Sequence, residues 1–225
     1  MLGERYREAL TFVAELHQGQ RRKGSEVDYL AHLLSVSALV MEHGGDEDEA
    51  IAALLHDAIE DQGNDYPSGS GASARDGRAA LRQQIDSRFG ERVLQIVDAC
   101  TDDEHFAKPA AGDRGDVEAW RQRKAHHIAR LADERDSAVL RVACADKLHN
   151  ARTMLIDWAA HGDAFWDRFR ARTRANQLWY YRGMAEVIGL NARPGRDAGL
   201  IRLVDELDRV LDRIEASGDQ PGSVR

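Results

Sequence analysis

AIAALLHDAIED, residues 50–61, runs six apolar residues straight into one histidine and three carboxylates. Continued as one helix, the segment stacks His56 on Glu60 and Asp57 on Asp61, because residues four apart share a side. An exposed polar stripe is the ordinary meaning of charges beside apolar residues. Here the surroundings are too apolar for that, and four ionisable groups near a core are costly unless something positive compensates them. A bound divalent cation supplies such a charge, so the segment is read as part of a metal site on a buried helix.

Further ligands must then come from elsewhere in the chain. His32, in DYLAHLL, is one candidate, although a histidine at a helix start is more often a cap or a surface group. Asp146, in VACADKLHN, is the more telling, because an aspartate inside the most apolar helical stretch of the chain must be paired or metal-bound. Two histidines with two aspartates (His32, His56, Asp57 and Asp146) and no thiolate suit manganese, iron or nickel better than a structural zinc. Such a centre acidifies water and polarises a phosphoryl oxygen. Glu60 and Asp61 are the spare carboxylates one turn on, placed to orient the water or handle its proton. Asn150, one turn beyond Asp146, is a candidate for bonding a sugar or phosphate, with a plain helix-surface amide as the alternative. The run Arg21-Arg22-Lys23, leading towards His32, is the natural phosphate clamp, although a solvated loop is the default for any charge run. Arg121, Arg123 and Lys124, after Trp120, form a second basic element that either reaches the same pocket or lies on an amphipathic face.

Outside these positions helical periodicity dominates and strand alternation is missing, so the fold class is all-α. Tyr6, Leu10, Val13 and Leu16 trace a first helix that stops around Gly19. A second carries Leu33, Val36, Leu39 and Val40 and ends at Gly44-Gly45. Asp46 with Glu49 resembles a capping box opening the apolar helix. Residues 63–77 form the most loop-like stretch, followed by helices over about 78–89 and 91–100. A second irregular stretch, 101–115, precedes helices at 117–131 and 137–155, and further helices start near Phe165, Ala175 and Ala198. The chain has 225 residues, is 43% hydrophobic and 31% charged, and carries a net charge of −8. That balance is globular, and the acidity argues against a partner such as nucleic acid, whose phosphates need a basic surface. No apolar stretch approaches a membrane span and the N-terminus is charged too early for a signal peptide, which points to the cytoplasm. Cys100 and Cys144 lie far apart in apolar surroundings and are expected to be two buried free thiols. No motif speaks to oligomeric state.

Taken in order, AELHQGQRRKG, DYLAHL, ALLHDAIED, FGERVLQIVDACTDD, AWRQRK and ADKLHNARTM resemble the hydrolase half of the RelA/SpoT family, especially its short stand-alone alarmone hydrolases. LLHD alone marks only the HD superfamily; its HD-x-x-ED form together with GQRRKG and ADKLHN is far more specific, and the likeness covers most of residues 6–155. The resemblance implies an HD-domain helical bundle; residues 1–160 are read as the hydrolase core, 161–216 as helices packing on the same domain and 217–225 as a flexible tail. It further implies that His32, His56, Asp57 and Asp146 bind Mn2+ and that Glu60 and Asp61 are the catalytic pair. Arg22 and Lys23 would contact phosphate and base, and Asn150 and Thr153 the nucleotide. The implied reaction removes the 3′-pyrophosphate of ppGpp or pppGpp, giving GDP or GTP and pyrophosphate. The chain departs from the family in having Leu33, where proline is common, after His32, and Asp28-Tyr29 where a Pro-Tyr pair is usual. Too little chain follows Thr153 for the family's synthetase domain. An aromatic such as Tyr180 or Tyr181 is placed either to stack on a base or to fill the core. The alternatives are an HD phosphohydrolase for ppApp, NADPH or another nucleotide, and a non-catalytic nucleotide sensor; the complete ligand set argues against the latter.

Overall fold

A computed structural model describes residues 2–67, 73–101, 117–169, 173–195 and 197–217. Within them the chain is all-α: α1 (Glu4–Leu16), α2 (Leu30–Glu42), α3 (Glu47–Leu55), α4 (Ala58–Gln62), α5 (Ala74–Phe89), α6 (Glu91–Cys100), α7 (Val117–Asp133), α8 (Ser137–His161), a 3-10 turn (Gly162–Arg168), α9 (Arg174–Gly195) and α10 (Ala198–Ser217). Of the expected irregular stretch 101–115 and the expected tail 217–225, only Thr101 and Ser217 lie among the described residues.

The core is organised by the two most apolar helices. Every residue of α3 from Glu49 to Leu55 is buried, and so is every residue of α8 from Ala138 to Asp146. A helix apolar on all sides must be surrounded, and α8 contacts α2, α3, α6, α9, α10 and the 3-10 turn. The outer helices are one-sided. In α10, Leu200, Leu203, Val204, Leu207, Val210, Leu211 and Ile214 recur at three- and four-residue spacing and are buried, which lays that helix along α8.

Three local departures from the sequence expectation have physical causes. The stretch 63–77 is not loop throughout: α5 starts at Ala74, four residues early, because Ser73 and Asp76 form a reciprocal capping box. The box expected at Asp46 is only half made. The Asp46 side chain accepts from the Glu49 backbone N–H at 2.9 Å, but the Glu49 carboxylate turns inward to Arg141. Finally, AIAALLHDAIED is not one helix. α3 ends at Leu55, Asp57 takes the bridge conformation (φ −99°, ψ −3°), and α4 restarts at Ala58. Gly90, at φ +88°, makes the sharp turn between α5 and α6, where a residue with a Cβ would be strained.

Arg141 is the one charge in the apolar run of α8, and it is met from two sides by Glu49 of α3 and Asp197 ahead of α10. This pairing pins three helices that are distant in sequence. Truncating the arginine would leave two carboxylates facing a closed core. Arg141→Ala should therefore destabilise the protein by about 3–5 kcal/mol, read as a fall in the urea midpoint at unchanged slope; a midpoint within experimental error of wild type would contradict this role.

Candidate metal centre and nucleotide pocket

The interruption between α3 and α4 decides where the histidine and aspartate point. The His56 Nδ1–H donates to the Ala53 carbonyl at 2.9 Å, so Nε2 is the atom turned towards the neighbouring carboxylates. It lies 3.0 Å from Asp57 Oδ2 and 3.7 Å from Asp146 Oδ1. His32, the third residue of α2 and buried rather than a surface cap, brings its Nε2 to 3.2 Å from the same Asp146 oxygen and 3.7 Å from Asp57 Oδ2. Ligand atoms of His32, His56 and Asp57 all fall within 4.8 Å of one another. His56 Nε2 is buried, and none of its close contacts has hydrogen-bond geometry. A buried ring nitrogen that faces carboxylates without hydrogen-bonding to them can turn its lone pair to a cation once the imidazole is neutral, so the donor set fits a divalent ion.

Neighbouring groups hold this cluster in place. His32 Nδ1 meets His149 Nδ1 at 2.7 Å. Burial, with the nearby charge of Arg22, pulls His149 down to about 4. A neutral His149 accepting from His32 Nδ1–H leaves the His32 Nε2 lone pair for the cluster. The Tyr29 hydroxyl donates to Asp57 Oδ2, and its phenol is pushed far up by burial and by Asp57. Asp146 is bonded by Asn150 Nδ2 on one oxygen and by Lys147 Nζ on the other. Asn150 also accepts from Arg22 Nη2 at 2.8 Å, which couples the basic loop to the cluster through one amide.

That loop is shaped by its backbone. Arg22 N–H donates to the Val27 carbonyl and Tyr29 N–H to the Gln20 carbonyl, each at 2.9 Å, and Gly24 turns at φ +71°. In an extended stretch successive side chains point to opposite sides. Arg21 accordingly faces out and pairs with Glu26, whereas Arg22 faces in.

Two cavities meet at the cluster, divided by Tyr29 and Asn150, which line both. The larger, about 360 Å³, is bounded by Arg22 and Lys23 on the loop, Thr153 on α8, and Phe165, Phe169 and Tyr181 beyond it. The smaller, about 200 Å³, holds Asp57, Glu60 and Asp146 beside Lys124, His127 and Lys147. Burial opposes the Lys147 ammonium, but Asp146 keeps it charged, well above the ordinary lysine value.

Each residue singled out from the sequence can now be located. His32, His56, Asp57 and Asp146 converge. Arg22, Lys23, Asn150 and Thr153 line the larger cavity, and Glu60 lines the smaller. Asp61 lines neither and accepts from Gln20 Nε2 at 2.8 Å. In the second basic element Lys124, and neither Arg121 nor Arg123, lines one of these two cavities; Arg121 lies over Trp179. Tyr180 bonds His127 and lies beneath Lys124 and Lys147, whereas Tyr181 borders the larger cavity. Cys144 is buried as expected, but Cys100 is half-buried at the wall of the smaller cavity, its thiol pushed up to about 12 by burial. Lys147, His149, His127 and the Phe165–Phe169 pair escape sequence reasoning. Of these, only His149, one helical turn from Asp146, carries a spacing that could have drawn attention.

The fold and this site define a class: the chain belongs to the HD domain family, whose model matches residues 9–172. An HD domain implies a divalent metal, and the His/Asp cluster is a possible place for it. The chain is 32% identical over 152 residues to the guanosine-3′,5′-bis(diphosphate) 3′-pyrophosphohydrolase MESH1 of Xenopus tropicalis, covering 65% of this chain and 68% of that protein. It is 29% identical over 185 residues to a GTP pyrophosphokinase of Myxococcus xanthus, and 31% over 148 residues to a probable guanosine-3′,5′-bis(diphosphate) 3′-pyrophosphohydrolase of Synechocystis. Those matches cover 82% and 65% of this chain but only 21% and 16% of the two longer relatives. A solved structure of a metazoan ortholog of SpoT that hydrolyzes ppGpp and plays a role in starvation responses superposes with TM-score 0.62 at 25% identity, over 93% of this chain and 96% of that one. No helix of the described residues is long and apolar enough to cross a membrane.

The electrostatics of the metal-free cluster carry a pH signature. Burial lowers the His56 pKa, but Asp57 and Asp146 outweigh it and hold the imidazolium well above the usual 6.5, while both carboxyls are held well below theirs. A raised histidine pKa stabilises the fold fully below the unfolded value and progressively less as pH rises through the folded one. Protein stripped of divalent ions should therefore lose stability as pH climbs above about 6.5, and His56→Gln should flatten that decline in urea titrations run across the alkaline range. An equal slope in the two proteins would assign the decline to other groups.

Proposed function

We propose that this protein is a metal-dependent hydrolase that removes the 3′-pyrophosphate of ppGpp or pppGpp, with Mn2+ held by His32, His56, Asp57 and Asp146. The observation that carries the reading is the convergence of these four side chains at the junction of two cavities, tied to the basic loop through Asn150 and Arg22. The likeness to MESH1, itself named for this activity, supports it. The proposed location is the cytoplasm.

When bound, the divalent ion acidifies water and draws electron density from the phosphoryl group. Everything else falls to the chain's own residues. The water oxygen bonds to the phosphorus next to ribose O3′, the bond from that phosphorus to O3′ breaks, and O3′ leaves carrying the proton that the water gives up. Glu60 takes the role of orienting the water and receiving its proton, and Asp61, held by Gln20 outside the two cavities, adds negative potential from further off. Arg22 and Lys23 neutralise charge on the substrate's phosphates. Asn150 and Thr153 bond the sugar-phosphate on the same face of α8. His149 and Tyr29 hold His32 and Asp57 in their geometry.

The direct test is product analysis of Mn2+-loaded protein offered ppGpp, ppApp and NADPH, with Glu60→Gln as control. Pyrophosphate and GDP should appear from ppGpp, and Glu60→Gln should lose about 100- to 10,000-fold in kcat with its metal retained. Phosphate release from NADPH alone would replace the reading with the NADPH activity, and a Glu60→Gln protein turning over normally would remove Glu60 from the chemistry.

The alternation in the basic loop separates two adjacent arginines. Arg22→Ala should weaken transition-state binding by about 2–5 kcal/mol, the range for truncating one partner of a buried charge pair, whereas Arg21→Ala should have little effect on kcat/KM. Equal, near-normal values for both variants would return the loop to a solvated surface feature.

A further inference from the structure

The larger cavity contains an ion pair that neither the metal nor the phosphates require. Asp157 lies on α8 and Arg168 ends the 3-10 turn, and both line the cavity at the end away from the metal cluster. Arg168 Nη1 donates to Asp157 Oδ2 at 2.8 Å. The Arg168 guanidinium lies 4.1 Å from the Phe165 ring centroid, so its plane is fixed by an aromatic floor. The side chains of Asp157 and Arg168 are 27% and 19% exposed, and both line the cavity. Among the described residues Asp157 Oδ1 has no protein donor, and Arg168 has no second acceptor.

The position of Asp157 along α8 matters as much as its pairing. Asp146, Asn150, Thr153 and Asp157 follow at spacings of four, three and four, so they form one stripe of the helix. The stripe starts at the metal cluster and ends at the ion pair. The rise from Asp146 to Asp157 is about 16 Å, enough to span an ion, a phosphoryl group, a ribose and a purine laid end to end. The far end of the cavity also has apolar walls, Phe165 and Phe169, suited to the faces of a flat ring.

We propose that Asp157 and Arg168 read the base, and that they read it as guanine. This rests on the nucleotide-hydrolase reading above and deepens it. Guanine offers two parallel donors, N1–H and the 2-amino group, to one carboxylate, and next to them O6 as an acceptor for a guanidinium. Adenine presents the reverse: N1 is an acceptor facing the carboxylate, and the 6-amino group is a donor facing the guanidinium. An adenine in the same pose would leave both charged groups unsatisfied in a partly closed pocket, and rejection by unpaired polar groups is a strong discriminator. Inosine, which lacks only the 2-amino group, loses one of the two carboxylate bonds.

The experiment compares kcat/KM of wild type and Asp157→Asn on ppGpp, ppIpp and ppApp, and measures GDP and ADP binding to the same preparations. Wild type should favour ppGpp over ppApp, with ppIpp between them. Asp157→Asn should lose roughly ten- to a hundredfold on ppGpp, the discrimination typical of one bidentate base contact. On ppApp it should gain, because an amide can donate to N1, which the carboxylate meets only with its own lone pairs. Arg168→Lys, which retains a positive partner for Asp157 and loses the planar fork, should also erode the guanine preference. Equal losses on all three substrates would make the pair a structural clasp and overturn the proposal, as would a wild type without base preference. If wild type hydrolyses none of them, the hydrolase reading fails on its own. The base contact is then still decided by binding: GDP over ADP in wild type, lost in Asp157→Asn, upholds it, and equal affinities end it.

Discussion

The carboxylate of Asp146 sits in the most enclosed helix of the bundle, and the groups around it are arranged to meet its charge. An isolated carboxylate there would be prohibitively costly. It is answered by Lys147 and Asn150 from its own helix, and by the imidazoles of His32 and His56 from α2 and the end of α3. Each partner is in turn held by something else: His32 by His149, His56 by the Ala53 carbonyl, Asn150 by Arg22. The position of the basic loop thus follows from the compensation of one buried charge.

The break between α3 and α4 follows from the same constraint. A continuous helix would direct His56 and Asp57 about 100° apart around its axis. Ending α3 at Leu55 and passing through the bridge conformation at Asp57 brings both side chains onto one point with Asp146. It also separates the two carboxylates that follow. Glu60 borders the smaller cavity, and Asp61 turns to the Gln20 side chain, so groups adjacent in sequence stand in different environments.

The helices after residue 160 complete the site. The 3-10 turn and α9 supply Phe165, Phe169 and Tyr181 to the larger cavity, while Tyr180 carries the two lysines of the smaller one. Their placement depends on α10, which docks on α8 through its apolar stripe and, at its start, through the Asp197–Arg141 pair. A charge pair in the core therefore supports the wall of a pocket that contains neither residue.

The sequence by itself determined the all-α class and the ends of most helices, and it singled out the four polar side chains that converge in the core. These were legible because they are local or costly: apolar periodicity follows from the helix repeat, and a charge inside an apolar run is costly enough to announce itself. Only the tertiary structure decided that Asp61 lies apart from Glu60 and that Lys147 and His149 support the cluster. It also decided that Lys124, of its basic element, lines the smaller cavity. The capping box at Ser73 had the correct residues in sequence, yet they sat in a Gly- and Ser-rich stretch whose composition pointed to loop. The reason is common to all of these. A histidine, lysine or aspartate on a half-buried face has the same local pattern whether it meets solvent, a partner or a ligand, and which one it meets is set by elements distant in the chain that pack against that face.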